Sequence, residues 1–244
     1  MDAELFEART EDCFTLCERT SVPKFLGFLT PAEAARADVI LKKLGARYNF
    51  FGGYDEAERR YLCCFPDWCD EPYFPIRAFT FRFRECDSLS HRDFLGLLMS
   101  LGIVREAVGD ILVEKGRAVV FLSEDISDYV VSNTEKVGNV GVTVSEGFEL
   151  PLPGASQKIE CSDTIASARL DCVVGALCGL SRNTAAEFIE QGAVSVNSLA
   201  CLKLTKTVCS GDRVTVRGKG RFDILSTDGV SKKGRIILVY TKFI

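Results

Sequence analysis

Residues 163–224 constrain the fold more than any other stretch, because two helix signals and several turns follow one another with no spare length. Apolar residues return at Ile165, Ala168, Leu170, Val173, Val174 and Leu177, which predicts an amphipathic helix starting at Thr164. Gly179 ends that helix. Ser181 then caps a second helix over 182–191, which buries Ala185, Phe188 and Ile189 and stops at Gly192. Val194-Ser-Val196 reads as a strand, Asn197-Ser198 as a two-residue turn, and the return segment carries Lys203 and Lys206. Gly211-Asp212 turns the chain again into Arg213-Val-Thr-Val-Arg217.

The charges on this stretch suggest a job. Val214 and Val216 alternate with Arg213, Thr215 and Arg217, so one strand face is apolar and the other basic. Continued extension would add Lys219 and Arg221 to the basic face. Arg182 opens the second helix, where a cation meets the positive end of the dipole at a cost of about 0.3–1 kcal/mol. That placement makes sense if the arginine and the free first-turn amides share an anion, with Arg169 one helix away. The plainer alternative is a solvated basic face.

Ser167-Ala-Arg-Leu-Asp171, Ser181-Arg182, the run from Ile189 to Asn197 and the closing 211–221 segment resemble the S-four, or alpha-L, RNA-binding domain. The resemblance implies two helices and a small β-sheet that present a surface to structured RNA. It implies RNA-binding roles for Arg169, Ser181, Arg182, Asn183, Lys203, Lys206, Arg217, Lys219 and Arg221. Ser198 stands where the family usually has glycine, which suits positive backbone angles better.

Net charge supports a modular reading. The whole chain carries −4, yet from Glu160 onward 12 Lys and Arg face 8 Asp and Glu, while the remainder holds 18 against 26. An acidic front and a basic back point to nucleic-acid binding concentrated on one face. The eleven cysteines are scattered and odd in number, with no CxxC pair, so neither a disulfide framework nor a metal site is expected. No signal peptide or apolar run of membrane length is seen, and no cofactor motif; a cytoplasmic protein without membrane contact is expected.

Ahead of the basic module the chain reads as an α+β protein. Residues 1–75 form a helical and hairpin region: a first helix with Leu5, Phe6, Phe14 and Leu16 as candidate buried positions, a helix capped by Thr30, Pro31 and Glu33, and a hairpin around Gly52-Gly53. Pro66, Pro72 and Pro75 bracket an aromatic loop around Trp68, Tyr73 and Phe74, read as packing, with a contact patch as the alternative. Residues 76–150 give strand, helix, two strands, a helix and a final strand over 137–144, resembling an RNA-recognition-type domain in outline but without its aromatic motif. Residues 151–160 have linker composition, and 161–244 form the S-four module.

His91, the single histidine, starts a helix with Arg92 and Asp93. Catalysis would make His91 a general base oriented by a carboxylate, but no motif holds a nucleophile near it. A phosphate contact by His91, Arg92 and Arg105 near the helix N-terminus is the alternative, alongside a purely structural cap. The run from His91 to Arg105, Gly109-Asp-Ile111, Gly52-Gly-Tyr54, Ala57-Glu-Arg59 and Pro66-Asp67 resemble the YlmH family. That resemblance implies a bacterial, non-enzymatic protein that binds rRNA or tRNA on the large ribosomal subunit in quality control of stalled chains. Against it stands an RNA-modifying enzyme of pseudouridine-synthase or methyltransferase type; Arg169-Leu-Asp171 and Val137-Gly-Asn-Val-Gly141 are the nearest motifs. A protein-docking adaptor is the third possibility.

Overall fold

The computed structural model describes residues 3–154, 158–231 and 234–243. It divides into two compact units, Met1–Ala155 and Ser156–Ile244. No helix among the described residues is long and apolar enough to cross a membrane.

The first unit opens with α1 (Ala3–Thr20), β1 (Lys24–Leu29), α2 (Pro31–Lys43), β2 (Tyr48–Phe51) and β3 (Arg60–Cys64). Helical spacing selects Phe6, Thr10, Cys13 and Cys17 as the buried stripe of α1. Leu5 and Leu16, expected inside, lie off that stripe and are exposed, while Phe14 packs at its edge. Thr10 tolerates burial because its hydroxyl donates to the Phe6 carbonyl at 2.9 Å. Thr30 and Glu33 close a reciprocal capping box on α2. β3 is the centre of an antiparallel β1-β3-β2 sheet whose inner face meets α1 and α2 through Leu26, Leu62 and Leu41.

β4 (Ile76–Arg82), α3 (His91–Ser100), a 3₁₀ turn (Arg105–Ala107), β5 (Val108–Glu114), β6 (Arg117–Ser123) and α4 (Glu124–Ser132) follow. The strand expected over 137–144 is instead three pieces: a small hairpin, β7 (Lys136–Val137) and β8 (Val140–Gly141), then β9 (Thr143–Glu146). Gly138, at φ 57°, turns the chain there and breaks the extension. β5-β6-β4-β9 form one antiparallel sheet in a β-α-β-β-α-β chain order. Phe79, Phe81, Val120 and Leu122 point to the helix layer and pack on Phe94, Leu98 and Val130.

The other face of this sheet is also covered. Val119 and Phe121 alternate with the helix-facing residues of β6, and both are fully buried. Phe28 of β1 and Tyr61 of β3 complete their cluster, and Tyr54 stacks on Phe121 with ring centroids 4.9 Å apart. Regions 1–75 and 76–150 therefore share one compact unit.

Arg59 staples the two regions. Only 9% exposed, it donates from Nε to the Val108 carbonyl at 2.9 Å and from Nη2 to those of Phe28 at 2.8 Å and Arg105 at 2.9 Å. Asp110, equally buried, accepts from Tyr54 Oη and from the Glu58 and Arg59 amides at 2.7–3.0 Å. The backbones come close enough that a Cβ on Gly109 would sit 2.6 Å from the Phe28 ring.

The second unit consists of β10 (Lys158–Ile165), α5 (Leu170–Cys178), α6 (Arg182–Glu190), β11 (Val194–Val196), β12 (Leu199–Ala200), β13 (Arg213–Val216), β14 (Gly220–Val230) and β15 (Ile236–Phe243). Its antiparallel sheet runs β10-β15-β14-β13-β11-β12. The helix expected from Thr164 begins only at Leu170. Residues 158–165 pair with β15 in unbroken register, Ile165 opposite Ile236, and these partners lie far along the chain where no local periodicity reports them. Three residues of the expected 151–160 linker, 158–160, are thus strand, and 155–157 lie outside the described residues. Extension beyond Arg217 also fails: Gly218, at φ 74°, turns the chain, and Arg221 returns opposite Thr215.

Two substitutions test this packing. Arg59→Met leaves three interior carbonyls without their donor and is expected to cost about 3 kcal/mol or more, read as a lower urea midpoint. Asn197 and Ser198, at φ 51° and 66°, form the β11–β12 turn. Ser198→Gly relieves the second left-handed residue and is expected to raise stability by about 0.5 kcal/mol.

Candidate nucleic-acid interface

The start of α5 is built around a carboxylate. Arg169 is the N-cap residue in extended backbone, so its carbonyl accepts the first helical amides while its side chain stays beside the first turn. Asp171, in that turn, is 3% exposed. It accepts from Arg169 Nε and Nη2 at 3.1 and 3.0 Å, from Arg182 Nε at 2.9 Å and from the Cys172 amide at 3.0 Å. Burial pushes the Asp171 carboxyl up, but the hydrogen bonds and charges of Arg169 and Arg182 outweigh it and hold the group below its usual value. The same bond raises Arg182.

Gly179, in the left-handed conformation at φ 63°, ends α5, and Ser181 caps α6 by accepting the Thr184 amide at 3.2 Å. That short connection is what lets Arg182, first residue of α6, reach back to Asp171. Asn183 is exposed beside it. Lys203 and Lys206 belong to a loop docked on the same end of α5, where the Leu170 amide donates to the Lys206 carbonyl at 2.8 Å and the Asp171 amide to that of Leu204 at 3.2 Å. The structure thus gathers Arg169 and Arg182 around one buried acid and bonds the main chain of the loop carrying Lys203 and Lys206 to the same helix start. A groove of about 310 Å³ beside Arg182 is bordered by Asp163, Asp171 and Arg235, and Arg235 donates to the Thr164 carbonyl at 2.7 Å.

The remaining expected residues separate from this cluster. Arg217 and Lys219 are exposed at the β13–β14 turn, with the Arg217 amide bonded to the Ala193 carbonyl. Lys219 lies near enough to the end of α5 for its charge to act on Cys178. Arg221 leaves the helix side altogether: its guanidinium stacks 4.0 Å above the Phe243 ring on the outer sheet face, where Arg213 pairs with Asp223 at 2.6 Å. Strand alternation predicts Arg213 on that face; only the turn at Gly218 decides the place of Arg221.

In the first unit, Ser90 caps α3 and its amide and hydroxyl both donate to Asp93 Oδ2 at 2.7 Å. Asp93 therefore serves the helix cap and does not orient His91. Burial and the neighbouring Arg105 charge depress the His91 imidazole, with Asp110 opposing. The Arg105 charge thus reaches His91, and both His91 and Arg92 are exposed on α3. No group of three or more His, Cys, Asp or Glu among the described residues is placed to hold a metal ion.

Comparison with known proteins bears on these sites. A family model described as "Putative RNA-binding domain in YlmH" matches residues 74–148, the β-α-β-β-α-β region. "Ribosome-associated protein quality control protein P2" of Bacillus subtilis (strain 168) is 30% identical over 217 residues, covering 87% of this chain and 84% of that protein. The chain belongs to the YlmH family. A solved structure, "Cell division protein ylmH from Streptococcus pneumoniae", shares the fold with a TM-score of 0.54 at 19% identity, over 60% of this chain and 93% of that one. Tyr54, Arg59, Gly109 and Asp110, among the residues on which the sequence resemblance rests, lie where the two sheets of the first unit join.

Asp171→Asn is expected to cost about 1–3 kcal/mol, because it loosens two half-exposed arginines from a buried acid. Since the folded carboxyl titrates below its unfolded value, its contribution is full above about pH 4 and is lost as pH falls through the folded value. Urea midpoints between pH 3 and 7 should accordingly fall off less at the acid end in Asp171→Asn than in the wild type.

Proposed function

We propose that this chain is a non-enzymatic RNA-binding protein whose second unit is an S-four domain that grips the backbone of structured RNA. The observation that carries this reading is the Arg169–Asp171–Arg182 arrangement. One buried carboxylate holds two guanidinium groups side by side, and Arg182 spends only Nε on it, leaving both terminal nitrogens for phosphate oxygens. Arg182 at the first position of α6 also sets its charge beside free helix amides, an anion-binding arrangement. Lys203, Lys206, Arg217 and Lys219 would extend the contact, with Ser181 and Asn183 at the helix start and Arg221 on a separate face.

The name of the B. subtilis relative supports a ribosome-associated role in protein quality control, carried out in the cytoplasm. rRNA of the large subunit and tRNA are the RNA ligands we favour. His91, Arg92 and Arg105 would form a second, weaker contact in the first unit. The pseudouridine-synthase alternative is disfavoured, since a carboxylate sealed beneath two arginines is a poor nucleophile.

Co-sedimentation with ribosomal subunits over a salt series tests the reading. Wild type should pellet with the large subunit, and Arg169→Ala with Arg182→Ala should weaken pelleting by at least tenfold. The slope of log affinity against log salt should fall by about 1.4–1.8 for two lost phosphate contacts. Unaltered pelleting of the double variant would transfer the contact to His91, Arg92 and Arg105.

A further inference from the structure

A second surface carries different chemistry. At the margin where the β1-β3-β2 sheet packs on the four-stranded sheet, and on the 65–75 loop, aromatic side chains stay in solvent: Trp68 is 67% exposed, Tyr73 70%, Phe51 37% and Phe25 36%. Phe25 and Phe51 are bridged by a ring of the same loop that carries Trp68 and Tyr73. Phe74 contacts Phe25 and Phe51 with ring centroids 5.9 and 5.5 Å apart. Trp68 Nε1 donates to the Ser21 carbonyl at 3.1 Å, and Val22, 49% exposed, follows directly. Tyr73 Oη donates to Glu124 at 3.1 Å at the start of α4. The two most exposed rings are therefore tethered at their polar atoms while their faces stay open, and Pro66, Pro72 and Pro75 restrict the loop that carries them. Rings held in place lose little freedom when a partner covers them.

The rim of this surface is acidic. Asp67, Asp70, Glu71, Glu124 and Asp125 are exposed along it. The cations among them are engaged: Arg47 bonds Asp67 and Asp70, and Arg77 bonds Asp128 and Glu146. Such a field repels phosphate, and with it both nucleic acid and an anionic lipid surface. Fixed apolar rings inside an acidic rim match a chain with the opposite pattern. We infer that this face docks a Lys/Arg-rich polypeptide segment that inserts apolar anchors among Trp68, Phe25, Phe51 and Phe74. This is independent of RNA binding by the second unit.

Trp68 is the single tryptophan of the chain, so its fluorescence reports on this face alone. The probe is a synthetic peptide alternating lysine with leucine and phenylalanine, titrated into the full-length protein at low salt. A lysine–serine peptide of equal charge and poly(U) RNA serve as comparisons. Saturable blue-shift of Trp68 emission by the first peptide alone is expected. Affinity should fall at least tenfold when Asp67, Asp70 and Glu71 are changed to Lys, and severalfold in Tyr73→Ser, both variants keeping the wild-type thermal midpoint. No saturable shift, or an equal shift with the lysine–serine peptide, would overturn the inference, as would an affinity untouched by the charge reversal. A shift produced by poly(U) instead would make this an RNA surface and overturn it too.

Discussion

Arg59 carries a full charge into the interior of the first unit, where an unpaired ion would be prohibitively costly. It is tolerated because three main-chain carbonyls, from β1, the 3₁₀ turn and the start of β5, converge on its guanidinium. Asp110 balances it by taking the amides on either side of the Glu58–Arg59 peptide and the Tyr54 hydroxyl. These bonds tie a three-stranded sheet to a four-stranded one at a fixed distance. Phe28, Tyr61 and Tyr54 can then fill the space over Phe121. The consequence for function is direct. In an RNA-recognition domain the open sheet face stacks bases, and here that face is occupied by the protein's own aromatic residues.

The second unit uses the same device at its surface. Asp171 is buried, yet the arginines that neutralise it are half-exposed, so the acid fixes the position of two cations without hiding them. A pair of free surface arginines would lose side-chain entropy on gripping phosphate; a pair already held by a common carboxylate loses less. Two positive charges of the C-terminal part are thereby held at fixed places rather than left on mobile side chains. The first unit differs: it is acidic overall and exposes aromatic rings on the 65–75 loop and at the sheet margin.

Much of the local structure was legible in the amino-acid sequence. Caps such as Thr30-Pro31-x-Glu33 and Ser181, the stop at Gly179 and the hairpin near Gly52 are short-range signals, and each is present where its residues predict it. Leu5 and Leu16 misled because hydrophobicity alone does not set the phase of a helix; Thr10, Cys13 and Cys17 share the buried stripe with Phe6 instead. Residues 158–165 were unreadable as strand because their partner, β15, is some eighty residues further along the chain. Trp68 and Tyr73, aromatic and so expected to pack, are exposed, with their polar atoms bonded to Ser21 and Glu124.

The sequence by itself determined the α+β class, the acidic-to-basic division along the chain and the arginines at Arg169 and Arg182. All of these follow from residue type, neighbour spacing and turn chemistry. Only the tertiary structure decided which cations stand together. It joined Arg169 and Arg182 on Asp171 and sent Arg221 to the far sheet face. It also decided that the recognition-type sheet is closed by aromatic packing. The physical reason is common to both. A charge or ring buried by a fold is placed by partners brought from distant parts of the chain, and no local pattern encodes their meeting.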